Sequence, residues 1–318
     1  MVEKTRVVIA LGGNAILKSD QKGTYQEQLD NVQKTVEVIG NMILSGEFKV
    51  VVTHGNGPQI GAILLQNDAG ESEGVPAMPM DVCGAQSQGM IGYMMQQRLE
   101  TVFKQSERPD IPVATIITQT VVEEDDPAFD NPTKPVGPFY EEEKAKTLKE
   151  EKGWDMVKTK EGKWRRVVPS PEPQRIAEED SIRKLYEAHI VPIVAGGGGI
   201  PVVEKNGGYE GREAVVDKDL AAERVAQAVD AEIFVIVTDV KGVALNYGEP
   251  DEEWLDKATV EEMREYLEEG HFEEGSMKPK VEAAIEFIEN GGKRAIIGSL
   301  DEAAEAVEGK KGTKIVPR

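Results

Sequence analysis

Glycine-rich turns follow three apolar runs of this sequence, in a pattern typical of a ligand site made of backbone N–H groups. Val7–Leu11 leads into Gly12-Gly13-Asn14, Lys49–Thr53 into His54-Gly55-Asn56-Gly57, and Val191–Ala195 into Gly196–Gly199. Such runs are typical of parallel strands covered on both faces, and glycine lets the backbone approach a ligand closely. Ligands of open α/β sheets bind at the carboxyl ends of the strands, so we expect the three turns to line one crevice.

Three lysines have surroundings that distinguish them from ordinary surface lysines. Lys134 lies between prolines, Lys218 begins a predicted helix between two aspartates, and Lys280 lies near the start of another predicted helix. The helix dipole disfavours a cation near a helix start unless an anion binds there. Bare N–H groups favour anions too. The turns and the lysines together therefore predict a site for an anionic ligand.

Several familiar motifs are excluded. Gly55-Asn56-Gly57-Pro58-Gln59-Ile60-Gly61 opens a predicted helix after a strand, but its third glycine comes one residue too late for the dinucleotide-binding motif. The P-loop pattern Gly-x-x-x-x-Gly-Lys-Ser/Thr does not occur. One cysteine, Cys83, and three scattered histidines argue against a zinc site. We interpret His54 as a hydrogen-bonding group beside its turn, not as a general base.

Composition limits the partners and the location. With 318 residues, 39% of them hydrophobic, the chain can bury a full core. Its 37 Lys plus Arg against 58 Asp plus Glu give a net charge of −21, which argues against binding to nucleic acid or to an anionic membrane. A single cysteine, no signal peptide and no run of 18 apolar residues lead us to expect a cytoplasmic protein.

Alternating strand and helix patterns predict an α/β fold. Capping-box spacing at Thr24 and at Thr259 predicts helix starts, and further helices are predicted from Pro58, from Asp217 and from Ser276. The helix predicted from Asp81 to Gln105 contains Gly and Met residues that suit either a core helix or a subunit interface. Strands are expected at Pro112–Thr118 and, as the final strand, at Arg294–Ile297.

The composition changes between residues 121 and 173, where seven prolines lie among charged residues. This segment is too long for a structureless loop, so we predict a small inserted subdomain. A helix is expected from Glu141 to about Glu150, followed by a hairpin that joins residues 155–159 to residues 164–168. The insertion is interpreted as a lid over the crevice, or alternatively as a surface excursion without a role.

The motifs resemble those of the carbamate kinases in the amino acid kinase family, along essentially the whole chain. The matching stretches are Ala10–Ala15, Thr53–Gln59, Asn131–Tyr140, Arg165–Pro171, Gly196–Pro201, Asp217–Ala221 and Gly275–Val281. The resemblance implies a single domain built as an open, mainly parallel, eight-stranded αβα sandwich. An N-terminal substrate lobe would span about 1–205, with the lid at about 121–173, and a C-terminal nucleotide lobe about 206–318. It also implies a homodimer that reversibly converts ATP and carbamate to ADP and carbamoyl phosphate.

Roles for individual residues follow from the resemblance. Lys134, Lys218 and Lys280 would hold the transferring phosphoryl group, and Asp219 would orient the lysines. The carbamoyl phosphate pocket would be lined by Gly12, Gly13, Asn14, Gly55, Asn56, Gly57, Gly197 and Gly198. The nucleotide would contact Thr238, Asp239, Val240, Tyr247 and Met277. No side chain is assigned to a metal, because Mg²⁺ is expected to be carried mainly by the phosphates of ATP or ADP.

Two positions depart from related patterns, and other readings stay open. Lys278 stands where carbamate kinases usually have glycine or a small residue, and we expect it to point to solvent. Acetylglutamate kinases carry lysine where this chain has Ala10, so here Lys134 is expected to supply that cation.

The alternatives are an amino acid kinase acting on an acylamino acid, aspartate or UMP, and a non-catalytic nucleotide-binding regulator. The sequence leaves the physiological direction of the reaction open.

Overall fold

The computed structural model describes residues 4–159, 162–300, 305, 307 and 310–318. Its strands are β1 (Thr5–Leu11), β2 (Phe48–His54), β3 (Val113–Thr115), β4 (Gln119–Val121), β5 (Lys134–Tyr140), β6 (Met156–Lys158), β7 (Trp164–Val168), β8 (Arg175–Ile176), β9 (Val191–Ile193), β10 (Ile200–Lys205), β11 (Gly208–Gly211), β12 (Ile233–Thr238), β13 (Val243–Leu245), β14 (Glu253–Leu255), β15 (Lys257–Thr259), β16 (Arg294–Ser299) and β17 (Thr313–Val316). Its helices are α1 (Tyr25–Leu44), α2 (Gly57–Ser72), α3 (Met80–Gln105), α4 (Glu142–Lys152), α5 (Glu179–Glu187), α6 (Lys218–Ala228), α7 (Val260–Glu268) and α8 (Met277–Glu289).

An eight-stranded sheet with the order β15-β17-β16-β12-β1-β2-β9-β3 lies at the centre. The strands from β16 to β3 run parallel to one another, whereas β17 pairs with β16 in the antiparallel sense. This confirms the predicted mainly parallel, eight-stranded α/β architecture. The parallel strands place the turns after β1, β2 and β9 at one edge of the sheet.

Both faces of the sheet are covered, as β1 illustrates. Val7, Ile9 and Leu11 belong to an apolar cluster with residues of α1 and α3. Val8 and Ala10 point the other way, into a cluster with residues of α6 and α8. Successive side chains of a strand alternate between faces, so a strand buried on both faces is apolar at every position. This explains why the first apolar run shows no alternation.

Three smaller sheets accompany the central one. Strands β11, β10, β4 and β8 form a four-stranded sheet, β5, β7 and β6 form a three-stranded sheet, and β13 pairs with β14. The predicted hairpin of the insertion is confirmed, because β6 and β7 pair in the antiparallel sense. The predicted helix before it is α4. Residues 160 and 161 of the insertion lie outside the described residues.

Two strand predictions are confirmed only in part, because one strand is shorter than predicted and the other is not the last. The run expected to be a strand over Pro112–Thr118 leaves the central sheet after Thr115, and the chain enters the four-stranded sheet at Gln119. Between these points, the Thr118 hydroxyl donates to the carbonyl of Ile116 at 2.8 Å, and the backbone of Thr118 pairs with the Gln88 side chain instead of with a strand. Arg294–Ile297 is not part of the final strand, since β17 follows β16 and pairs with it.

The helix starts predicted from capping boxes are confirmed. The side chains of Thr24 and Thr259 each accept a hydrogen bond from a backbone N–H three residues later, and glutamates at those positions bond back. Asp217 caps α6, and its side chain accepts from the N–H of Asp219. Each cap satisfies amides that the first turn leaves without partners. In the described part of the chain, no helix combines the length and apolar character that crossing a bilayer requires.

Candidate active site

The three glycine turns meet at the carboxyl edge of the central sheet. β1 and β2 are neighbours in register, with Leu11 opposite His54, and the N–H of Gly55 donates to the carbonyl of Leu11 at 2.9 Å. A Cβ at Gly55 would lie 3.2 Å from the Lys218 side chain and 3.3 Å from the Gly13 nitrogen. A side chain at position 55 would therefore crowd the Lys218 stem and the first turn.

The third turn requires glycine for two reasons. Gly197 and Gly198 have φ of 67° and 94°, a region that side-chain-bearing residues rarely adopt. A Cβ on Gly197 would lie 2.1 Å from the Asn56 amide nitrogen, and one on Gly198 would lie 2.2 Å from the Val216 carbonyl oxygen. The turn thus lies in direct contact with the second turn and with the segment that leads into α6.

A buried polar network, which the sequence did not reveal, holds the third turn. The backbone N–H of Thr118 donates to the Gln88 side chain at 2.8 Å, and the Gln88 amide donates back to the Thr118 carbonyl at 3.0 Å. The Thr118 hydroxyl accepts from the N–H of Ala195, and the Thr120 hydroxyl donates to the carbonyl of Gly198 at 2.7 Å. Each bond links residues 30 or more positions apart, so local patterns carry no signal for them.

The three predicted lysines come together around two aspartates. Lys280 Nζ lies 3.0 Å from Asp219 Oδ2, and Lys218 Nζ bonds to the other oxygen of the same carboxylate. Lys134, which begins β5 of the insertion, reaches Asp217 Oδ2 at 2.8 Å. The Asp219 side chain is only 2% exposed. The lysines of β5, α6 and α8 thus converge, and the orienting role predicted for Asp219 agrees with its two lysine contacts.

The charges of this cluster are tuned by burial and by neighbours. Burial lowers the pKa of Lys218, and the like charge of Lys280 adds to the effect against the pull of Asp219. The pKa of Lys280 is raised because the Asp219 carboxylate outweighs the opposing effect of burial. The pKa of Asp217 is lowered because Lys134 outweighs burial in the same way. The lowered pKa keeps Asp217 ionised beside Lys134, and the Asp219 carboxylate holds Lys218 and Lys280 by direct contact.

These groups line a cavity of about 260 Å³. Of the predicted site residues, the cavity brings together Gly13, Gly55, Asn56, Gly57, Lys134, Gly197, Lys218, Asp219 and Lys280. Gly12 and Asn14 instead line an adjoining cavity of about 430 Å³ together with Thr238 and Asp239. Gly198, within the third turn, is buried and lines neither cavity. The first glycine turn therefore separates two cavities.

The residues predicted for the nucleotide are more dispersed. Thr238 ends β12, and the Asp239 charge contributes to the raised pKa of Lys280 after those of Asp219 and Asp217. Met277 begins α8, next to Ser276, which lines the smaller cavity. Tyr247 is 63% exposed and contacts Trp254 edge to face at 5.9 Å. Val240 lines neither cavity.

Two further residues behave as the sequence suggests. His54 is buried, its Nδ1 lies 2.9 Å from the carbonyl oxygen of Gly55, and burial lowers its pKa to about 4. Lys278 does not line the cavity and forms an exposed ion pair with Glu274 at 3.5 Å. The extra lysine therefore does not alter the charge around Lys280 directly. The carboxylate partner of Lys134, Asp217, is a member of the site that the sequence did not identify.

Comparison with known proteins gives a consistent picture. Residues 5–299 match the model of the amino acid kinase family. A carbamate kinase of Thermococcus kodakarensis is 57% identical over 312 residues, which cover 98% of this chain and 99% of that protein. A carbamate kinase of Trichomonas vaginalis is 47% identical with the same coverage. The structure of Giardia lamblia carbamate kinase bound to AMP-PNP superposes with a TM-score of 0.93 at 44% identity, covering 99% of each chain. The chain therefore belongs to the amino acid kinase family, and within that family to the carbamate kinases.

Proposed function

We propose that the protein transfers a phosphoryl group reversibly between ATP and carbamate, giving ADP and carbamoyl phosphate. The observation that carries this proposal is the convergence of Lys134, Lys218 and Lys280 on a cavity lined by glycine turns. Its cations match the charge of a phosphoryl group in transfer, and its backbone N–H groups suit the same anion. The high identity to carbamate kinases along the whole chain supports carbamate as the acceptor.

The proposed chemistry needs no protein base. Carbamate is an anion, so one of its oxygens bonds to the γ-phosphorus while the bond from phosphorus to the ADP oxygen breaks. The lysines stabilise the charge on the phosphoryl oxygens, and the protein contributes positioning and electrostatics. His54 fits this scheme because it is buried, neutral above about pH 4 and bonded to the backbone.

The remaining assignments form part of the proposal. Gly12, Gly13, Asn14, Gly55, Asn56, Gly57, Gly197 and Gly198 would supply the close backbone approach to carbamoyl phosphate. Thr238, Asp239, Val240, Tyr247 and Met277 would contact the nucleotide. The nucleotide lobe would span about 206–318 and the substrate lobe about 1–205. Support comes from the adjoining cavities on the two sides of the first glycine turn.

Mg²⁺ would enter as part of the MgATP substrate, held mainly by the phosphates and by water. The carboxylates nearest the cavity fit this view, because Asp217 and Asp219 are already engaged by lysines. Among the described residues, no three His, Cys, Asp or Glu side chains form a group that could hold a metal ion.

The insertion would act as a lid. It delivers Lys134 to the cavity, and the ion pair of that lysine with Asp217 ties β5 to the start of α6. Closure by this contact would exclude water from the transferring phosphoryl group and order the small acceptor, which offers few contacts of its own.

We also propose a cytoplasmic homodimer that associates through α3. Exposed apolar side chains gather on α2, on α3 and on the segment between them: Leu65, Val75, Met78, Val82, Met90 and Tyr93. Gly84 and Gly89 leave open space on the same helix. An exposed apolar patch with small residues that permit close approach suits a subunit interface.

An assay with parallel acceptors tests the function. Purified protein is given MgATP with ammonium bicarbonate, acetylglutamate, aspartate or UMP, and ADP formation is followed. We expect ADP with ammonium bicarbonate, which supplies carbamate, and little with the others. If turnover is faster with another acceptor, that compound and not carbamate is the substrate. If no acceptor leads to ADP formation, the protein is non-catalytic.

A further inference from the structure

Two adjacent arginines on the lid strand β7 have different surroundings. Arg166 is buried, donates to Glu213 at 3.2 Å and lies 4.3 Å above the Trp154 ring. Arg165 points to the other face of the strand and lines the cavity of the three lysines. Arg166 therefore has the contacts of a structural residue, and Arg165 faces the site.

Arg165 is held in place at one end only. Its Nε donates to the carbonyl of Gly137 at 3.1 Å, and its guanidinium lies 5.2 Å from the centre of the Phe139 ring. A guanidinium has five N–H donors. The other four donors of Arg165 form no hydrogen bond with an acceptor among the described residues. Arg165 is thus anchored on the lid, with donors left for a ligand.

The charge of Arg165 is not balanced by a carboxylate. Lys134 pairs with Asp217, and Lys218 and Lys280 share Asp219. No acidic residue among those described forms an ion pair with Arg165, and its partial burial lowers its pKa. Removing a charge from water without a partner is costly, so this arrangement favours an anion from outside the protein.

The position of Arg165 indicates which anion. Gly137, the residue that anchors it, packs against α2, because a Cβ on Gly61 would lie 3.5 Å from Gly137 Cα. Arg165 therefore stands on the side of the cavity formed by α2 and the second glycine turn. Ser276 and Lys280 enter the same cavity from α8. The side formed by α2 and the second glycine turn is the one assigned to the acceptor. The side formed by α8 adjoins the residues assigned to the nucleotide.

We propose that Arg165 binds the carboxylate of carbamate, and the carbamoyl group of carbamoyl phosphate, when the lid is closed. This inference rests on the proposed function. The flat guanidinium presents parallel N–H donors that match a carboxylate, whereas a lysine offers only a point charge. When one carboxylate oxygen bonds to phosphorus, the other keeps its hydrogen bond to Arg165. The residue would thus fix the acceptor, while the lysines hold the phosphoryl group.

Steady-state kinetics of Arg165→Ala and Arg165→Lys test the proposal. A charge-assisted hydrogen bond corresponds to about a 10-fold or larger effect, so the KM values for carbamate and for carbamoyl phosphate should rise by at least about that factor. The KM values for ATP and ADP should change by less than about 2-fold. Lys158→Ala is the matched control, since it removes an exposed cation of the same lid sheet that does not line the cavity.

Chemical rescue separates binding from a structural role. Methylguanidinium, added well below denaturing concentrations, should lower the raised carbamate KM of Arg165→Ala and leave the control unchanged. The proposal would be overturned if the KM values for carbamate and ATP rose equally or did not change. It would also be overturned if both variants lost melting temperature without a selective rise in the KM for carbamate. Wild-type protein is assayed first. Its failure to form ADP with ammonium bicarbonate would refute the proposed function, whereas an active wild type with insensitive variants refutes the role of Arg165 alone.

Discussion

At the scale of residues, the site is an arrangement of cations held by two carboxylates. Each aspartate side chain makes two contacts. Asp217 binds Lys134 and caps α6, and Asp219 bridges two lysines. This arrangement places positive charge in a chain whose net charge is −21. An anionic substrate therefore depends on local cations and not on the overall field of the protein.

Replacing Lys134 tests the contribution of the lid cation. Lys134→Ala should lower kcat on the order of 10²-fold, because in the proposed mechanism the lysine stabilises charge that develops during transfer. The KM for ATP should change much less. Initial rates of ADP formation at varied ATP concentrations check this, with Lys158→Ala as the control. Undiminished turnover in Lys134→Ala would show that its ammonium group does not act on the transferring phosphoryl group.

The buried His54 predicts a pH dependence of stability. Its pKa is about 4 in the folded protein and 6.5 in the reference state. The unfolded chain therefore binds more protons between these values, and the free energy of unfolding should fall as the pH drops from about 6.5 to about 4. His54→Asn keeps a donor near the Gly55 carbonyl and should weaken this dependence. Denaturant unfolding of both proteins across this range measures it, and equal slopes would contradict the assignment.

Residue patterns identified the three lysines but not their partners. Prolines around Lys134 and the helix starts at Lys218 and Lys280 are visible in the sequence. The contact of Lys134 with Asp217 joins residues 83 positions apart, and that of Lys280 with Asp219 joins residues 61 positions apart. Such pairs depend on the tertiary fold. Arg165 likewise differs from Arg166 only in which face of β7 it occupies.

At the scale of elements, glycine turns at the ends of strands shape the cavity. Gly198 combines a φ of 94° with a backbone atom at the place of a Cβ. Gly207 also has a positive φ, 76°, but open space where a Cβ would be. Comparing alanine substitutions at the two glycines therefore separates backbone strain from the steric clash at Gly198.

Gly198→Ala should therefore lower stability and activity more than Gly207→Ala. Strain at a positive φ costs on the order of 1 kcal/mol in both variants, and the contact with Val216 adds to it only at Gly198. We expect a larger drop in melting temperature and a raised KM for carbamoyl phosphate in Gly198→Ala alone. Equal effects of the two substitutions would mean that the contact with the α6 segment is unimportant.

Elements with strong local signals were predictable, and those defined by pairing were not. The capping boxes at Thr24 and Thr259 and the hairpin of β6 and β7 follow from nearby residues. The strands β4 and β8 have only three and two residues, and pairing with segments distant in the sequence places them in their sheet. The break after Thr115 coincides with the hydrogen bonds of Thr118 to Ile116 and to Gln88, and the bonds with Gln88 cross 30 positions, so no local pattern reveals them.

At the scale of the whole molecule, the exposed apolar side chains of α3 predict self-association. Sedimentation should give about twice the mass of one chain, because a patch of this kind is more stable when it is covered. Tyr93→Glu, which places a charge on this face, should shift the protein towards the monomer. Tyr209→Glu is the control, since Tyr209 is similarly exposed but lies on β11 and not on α3. A monomeric wild type, or equal behaviour of the two variants, would contradict this interface.

Helix α3 contacts the glycine turns through two of its side chains. Gln88 on α3 holds Thr118, and Ser87 accepts a hydrogen bond from the Asn56 side chain at 2.8 Å. The helix proposed to form the interface therefore also supports the second and third glycine turns. Helix α3 therefore links the proposed interface to the geometry of these turns.

The central claim is that Lys134, Lys218 and Lys280 surround the phosphoryl group that is transferred. The most direct measurement is a crystal structure of the protein with AMP-PNP. We predict that the three ammonium groups lie within hydrogen-bonding distance of the γ-phosphate, about 2.7–3.2 Å from its oxygens. A γ-phosphate bound away from these lysines, with the cavity between the glycine turns left unused, would contradict the account.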